Sequence, residues 1–307
     1  MTDQKPSIEH FLLLGFLALI WGSSFILMKI GLFGLDRDGE VFSSYQIAAM
    51  RIGIAGIVLS PIIIRKWKQI QRKDLLWMMA VGMIGNTIPA FLFTAAQLKL
   101  ASSIAGILNS LTPLFTLVVA MIVFGNRFTR RQIIGLLLGF AGAVGMITLK
   151  DSNGETHLLS MGLIVIATLC YAFSVNIIRN KLAGVSSMLI AAVALVSMAI
   201  PNLIWLSTTN VGTVITQHPE GVNGFLATSV LAAVGTAMAL VLFNGLIKDT
   251  SALFASSVTY LIPIVAALWG YLDEEHLTLM HLAFAMVILI GVYLVNRSKP
   301  VSRSKAS

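Results

Sequence analysis

The chain has 307 residues, 57% of them hydrophobic and only 11% charged, and its mean hydropathy is +0.89. A soluble domain carries roughly a quarter charged residues, so that class is excluded, and the alternating period of a membrane barrel is absent. The net charge of +8 does not point to nucleic acid, because the basic residues cluster in short links between apolar runs, where membrane topology accounts for them.

The apolar runs are near 20 residues long, the length that spans a bilayer core of about 30 Å. They predict helical spans at 10–33, 43–64, 75–97, 101–125, 132–149, 159–180, 186–207, 224–247, 251–270 and 279–296. The first lacks the short apolar region and small-residue cleavage site of a signal peptide and reads as retained. The longest link, "STTNVGTVITQHPEGVN" (207–223), is too small to be a domain, and the tail 297–307 reads as disordered and cytoplasmic. Sixteen Lys and Arg fall in links on the side of the termini and three (Arg37, Lys99, Lys150) in links on the other side, which predicts both termini inside. Lys29 and Arg51 lie within spans.

In the first span, Trp21, Ser24, Phe25 and Met28 form one helical stripe, and Tyr171, Ser174, Val175 and Ile178 repeat its spacing in the sixth. Such a stripe is either packing or the wall of a cavity. Lys29 stands about 7–8 Å of helix rise from Gly34, within snorkelling reach of the interface. Arg51 lies about 12 Å inside the second span, where an unpaired charge is costly and faces a wet interior. Asn86, mid-way along the third span, reads as an interhelical hydrogen bond or a substrate contact. Pro113 and Pro263 interrupt the fourth and ninth spans and free the carbonyls of Asn109 and Thr259, an arrangement expected beside a cavity and here read as a hinge. Arg179 closes the sixth span.

The chain repeats itself. Residues 102–147 compare with 250–295: a shift of 150 puts Pro113 on Pro263, and a shift of 149 puts Thr129 on Thr278. At 150, Trp21 falls on Tyr171, Ser24 on Ser174 and Lys29 on Arg179. Five spans per repeat, an odd number, require opposite orientations, and inverted repeats are a signature of secondary transporters with a midplane site. The expected fold is therefore all-α integral membrane, with ten transmembrane helices in two inverted five-helix repeats, 10–149 and 159–296.

Several segments, "LIWGSSFILMKIGL", "AAMRIGIAGIVL", "SLTPLFTLVVAMIVFGNRFTRRQIIGLLLGFAGAVGMI" and "TYLIPIVAALWG" followed by "EHLT", resemble the EamA-type branch of the drug/metabolite transporter superfamily over about 11–296. The resemblance implies ten helices around a central cavity and export or exchange of small metabolites, often amino acids. The first half departs at Asn126, where the family usually has the glutamate that Glu275 supplies in the second half.

No Asp or Glu lies deep in a span, although a proton-driven carrier of hydrophobic cations would be expected to place one there. The interior is neutral to positive and favours zwitterionic or anionic substrates. His157, His218, His276 and His281 lack metal-ligand spacing, and the glycines of "GLLLGFAGAVG" (135–145) allow close helix approach rather than cradle phosphate. Cys170 stands alone, so no disulfide framework or four-cysteine zinc site is expected.

The function expected is alternating-access export or exchange of a small polar metabolite, with Trp21, Tyr171 and Tyr260 as walls. Ser24, Asn86 and Asn109 would supply hydrogen bonds; Arg51, Lys29 and Arg179 would draw the anionic group. The expected partners are a small-molecule substrate and the lipid bilayer, with no nucleic acid and no cofactor, in a monomer or homodimer. The alternative is an intramembrane enzyme or lipid-handling protein, disfavoured because no His, Asp, Glu or Ser–His group clusters at a common depth.

Overall fold

The computed structural model describes residues 7–125, 129–149, 156–250, 258–275 and 277–296. Asn126 and His276, Lys150, the first half of the run 251–270 and the tail 297–307 lie wholly or largely outside the described residues. Among the described residues, eight helices are long and apolar enough to cross a bilayer: α1 (Ile8–Phe33), α2 (Ser44–Gln69), α3 (Arg72–Gln97), α4 (Ser102–Ile122), α5 (Arg130–Ile147), α6 (Leu158–Lys181), α7 (Ser187–Ser207) and α8 (Gly221–Leu246). Two shorter apolar helices follow, α9 (Val258–Leu272) and α10 (Leu279–Val295). Among the described residues there is no strand. The link before α8 holds one short helix, Val211–Gln217.

Packing repeats as the sequence does. α2 lies along α7 and α5 along α10, while α1 packs on α8 and α9 as α6 packs on α3 and α4. Exchanging the first five helices for the last five maps this set of pairs onto itself. The helix starts agree: the Thr129 hydroxyl accepts the Gln132 amide at 3.2 Å, and Thr278, its counterpart by the shift of 149, accepts the His281 amide at 3.4 Å. A hydroxyl at that position satisfies one of the N–H groups that a helix start leaves without an intrahelical acceptor. The glycine-rich face of α5 does bring backbones together. A Cβ on Gly135 would stand 2.6 Å from the Gly291 carbonyl of α10, so a larger residue would force the pair apart.

Two departures from regular helix follow the same repeat. α3 opens into a wide turn at Met83–Thr87 and α8 at Leu231–Met238. In a turn of this π type the backbone bonds skip an extra residue, and polar side chains fill the gap. The Asn86 amide donates to the Val81 carbonyl at 3.2 Å and the Thr236 hydroxyl to the Leu231 carbonyl at 3.2 Å, each five residues back and 150 residues apart. α4 also breaks as the proline chemistry predicts: Ser102–Asn109 and Thr112–Ile122 are separate helical stretches. The Asn109 carbonyl, freed by Pro113, accepts the Thr112 hydroxyl at 2.8 Å.

Candidate functional site

The wide turn of α8 gathers side chains from two other helices. Trp21 of α1 donates its indole N–H to the Gly235 carbonyl at 3.1 Å, and its ring meets Phe243 edge-on at 4.9 Å between centroids. Ser24 sits against the same glycine: a Cβ on Gly235 would come within 2.9 Å of the serine hydroxyl. The equivalent pair in the other repeat is tighter still, because a Cβ on Gly85 would stand 2.6 Å from the Ser174 Cβ. Both glycines permit an approach that any side chain would block.

Arg51 enters from α2. Its Nε donates to the Thr236 hydroxyl at 2.9 Å, and its guanidinium lies beside the Tyr171 phenol of α6. It is partly buried and has no carboxylate partner among the described residues. Tyr171 stacks on Phe93 of α3 at 6.1 Å, and Phe93 in turn packs near Phe25 of α1 at 5.8 Å. The structure thus brings Arg51, Thr236, Trp21, Ser24 and Tyr171 together around one irregular turn. Asn109 stands at the break in α4 with its Oδ1 buried and without a hydrogen-bond partner among the described residues.

The remaining expected site residues are placed elsewhere. Lys29 reaches neither the interface as a free anchor nor the wide turn. Its ammonium donates to Glu275 at 2.8 Å and lies 3.6 Å from Asp273. Glu275, in the link between α9 and α10, is the hub of this end of the bundle. One carboxylate oxygen accepts the Ser102 amide and hydroxyl, both at 2.6 Å, and the other accepts the Ser103 amide at 3.0 Å and hydroxyl at 2.6 Å. These amides open α4, so the carboxylate also meets the positive end of the helix dipole. Burial alone would raise the Glu275 pKa, but the Lys29 ammonium and the two serine hydroxyls outweigh it and hold the group at about 2. Tyr260 turns its hydroxyl to the Val292 carbonyl of α10 at 2.8 Å. Arg179 is exposed at the end of α6. Pro263 lies inside α9.

Thr236, Gly85, Gly235 and the two serines beneath Glu275 were not singled out by sequence. Two signals could have marked the wide turns: the glycines recur at the shift of 150, and in α3 Pro89 frees the carbonyl of Gly85, four residues earlier. Among the described residues no group of three or more His, Cys, Asp or Glu could hold a metal ion.

The model of the EamA-like transporter family matches the chain twice, at residues 10–148 and 158–297. The chain belongs to the EamA-like transporter family. It is 28% identical over 294 residues to the inner membrane transporter YedA of Escherichia coli K12, covering 92% of this chain and 89% of YedA. It is 25% identical to a "Probable amino-acid metabolite efflux pump" of Salmonella typhimurium LT2, over 91% of this chain and 93% of that one. A "Probable terminal-alkyne amino-acid exporter" of Streptantibioticus cattleyicolor is 23% identical, over 94% and 93%. A crystal structure matches with TM-score 0.58 and 15% identity over 94% of this chain and 96% of that one, a likeness of fold alone. This EamA-like chain is thus a multi-pass membrane protein of a transporter family, built from two repeats.

Proposed function

We propose that the protein is a secondary transporter that exports or exchanges an amino acid or a related small zwitterion or anion by alternating access. Its ten helices would all cross the membrane, the two repeats in opposite orientations and both termini cytoplasmic, as the odd span count per repeat and the 16-to-3 division of basic residues support. The substrate would bind between the repeats, at the wide turn of α8 and the break in α4.

One observation carries this reading. Arg51 is a charge within a span whose described partners are the neutral hydroxyls of Thr236 and Tyr171. An intramembrane cation without a counter-ion is costly, and a substrate carboxylate would complete it through the planar fork of the guanidinium. The Asn109 Oδ1 supplies an acceptor for an ammonium group, and Trp21 and Tyr171 supply apolar walls. Pro113 and Pro263 would serve as the hinge region. The names of two relatives as amino-acid exporters support the substrate class. Lys29 is better read as part of the closure formed by Glu275 than as a substrate contact.

Counter-flow of labelled amino acids in proteoliposomes tests the reading. Arg51→Gln should raise the half-saturating concentration by about 10- to 100-fold, the worth of a charge-assisted hydrogen-bonded pair, and Arg51→Lys should recover only part of it. Wild-type proteoliposomes that exchange no amino acid or related anion would contradict the assignment.

A further inference from the structure

Thr236 lies within the wide turn of α8 with only 6% of its surface exposed, and its hydroxyl is committed on both sides. The proton goes to the Leu231 carbonyl at 3.2 Å. A hydroxyl has one proton, so Arg51 Nε, at 2.9 Å, donates to a lone pair of the same oxygen. The backbone that carries Thr236 is pinned as well, since the Trp21 indole holds the carbonyl of the preceding residue, Gly235, at 3.1 Å. Filling the gap in a wide turn does not by itself require a threonine, because Asn86 fills it in α3.

This arrangement fixes which edge of the guanidinium is free. The fork can grip a carboxylate side-on, through Nε and one terminal nitrogen, or end-on, through both terminal nitrogens. Thr236 occupies Nε and so closes the side-on edge. Among the described residues, Nε is the one nitrogen of Arg51 held at hydrogen-bond distance, and the terminal nitrogens keep accessible surface. A long side chain loses rotamer freedom when it binds, and holding Nε removes part of that cost before a ligand arrives. By the shift of 150 the counterparts of Thr236 and Arg51 are Asn86 and Pro201, so the repeat supplies the wide turn twice and this pair once.

We propose that Thr236 is the positioning residue of the carboxylate site: it holds Arg51 by Nε so that the two terminal nitrogens meet a substrate carboxylate end-on. Thr236 touches no substrate itself. It sets how strongly the protein prefers a carboxylate over a neutral group at that place, and leaves the affinity for the rest of the molecule alone. The proposal rests on the reading of Arg51 as the receiver of that carboxylate. It places the control of specificity between the repeats, since α2 belongs to the first and α8 to the second.

Binding of the tightest-bound proteinogenic L-amino acid and of its α-amide to the purified full chain in lipid nanodiscs decides it. Thr236→Val keeps the shape of the side chain and loses the hydroxyl. It should lower the acid-over-amide preference about threefold or more, while moving amide affinity by less than about twofold. Thr236→Ala serves the same purpose should the valine variant not fold. Thr236→Ser restores the hydroxyl and should bring the preference back to within about twofold of wild type. In an Arg51→Gln background Thr236→Val should change the preference no further, because it acts through the arginine. A wild-type preference kept in Thr236→Val overturns the proposal; if Arg51→Gln alone abolishes that preference, the reading of Arg51 still stands. Equal weakening of acid and amide, unrelieved by Thr236→Ser, also overturns it, since damage to the turn alone would do that. A preference that survives Arg51→Gln, or a wild type without one, removes the reading of Arg51 and the proposal with it.

Discussion

The two ends of the helix bundle are closed by different chemistry. At the end away from the termini, Lys29, Arg37, Asp273 and Glu275 make all three ion pairs found among the described residues. Two further bonds stitch the same end: Glu220 accepts the Leu35 amide at 2.7 Å, and Gln46 donates to Asn210 at 2.8 Å. At the opposite end the described links are weaker. Lys181 lies over the Trp77 ring at 5.3 Å, and Asn176 and Asn244 donate to the carbonyls of Thr116 and Ser187 at 3.0 and 3.4 Å. The internal repeat copies helices, wide turns and caps, but not this closure. The counterpart of Lys29 is the exposed Arg179, and the counterpart of Glu275 is Asn126, which cannot offer a negative charge. This chain spends its described ion pairs on one end.

The largest effect should come from the hub. Glu275→Gln leaves Lys29 with Asp273 alone at 3.6 Å and removes the carboxylate that meets the start of α4. With the folded pKa near 2 against an ordinary 4.5, the unfolded chain binds more protons between those values. The carboxylate therefore contributes its full stability above about pH 4.5, and loses it as pH falls through 2. The shift is worth about 3 kcal/mol at neutral pH, so the apparent melting temperature of Glu275→Gln should drop by several degrees. The variant should also lack the wild-type loss of stability between pH 4.5 and 2. A variant that keeps the wild-type acid profile would show that another group is responsible.

A smaller effect is expected at the second pair. Arg37 donates to Asp273 at 2.7 Å and to the Gly34 carbonyl at 3.1 Å, with a quarter of its side chain exposed. Arg37→Gln should cost about 1 kcal/mol, the upper range for pairs that solvent reaches. Its melting point should respond to salt less than that of wild type. The smallest effect belongs to the other end. Arg179→Gln removes an exposed charge with no described ion-pair partner and should change stability by less than about 0.5 kcal/mol. If Arg179→Gln destabilises the protein as much as Glu275→Gln, the two ends are tied alike and the contrast drawn between them is wrong.

What the sequence made legible follows from how far each signal reaches. The broken α4 was foreseen because a proline acts on its own helix, but the same reasoning expected a break in the ninth span, and α9 runs as one helix from Val258 to Leu272 with Pro263 inside it; the recurrence of Thr129 as Thr278 was readable as a fixed shift. That another helix would approach α5 closely followed from glycine spacing; that this helix is α10 did not. Lys29 was open between a snorkelling anchor and a cavity charge because its true partner, Glu275, is 246 residues away, and depth in a span says nothing about what lies across from it. Tyr260 illustrates the same limit: mid-span placement gives no direction, and its hydroxyl turns to α10. The wide turns of α3 and α8 escaped notice because their Gly, Asn and Thr residues carry no period that differs from an ordinary membrane helix. Yet the turn of α8 is where Trp21, Ser24 and Arg51 meet.

The central claim is that Arg51 receives a substrate carboxylate. It is tested most directly by comparing binding of an amino acid with that of its amide, which keeps the ammonium and side chain but loses the negative charge. Wild type should prefer the acid by about 10-fold or more, and Arg51→Gln should bind the two forms about equally, since the preference comes from the charge on one residue. An acid-over-amide preference that survives intact in folded Arg51→Gln would contradict the account and move the carboxylate site elsewhere.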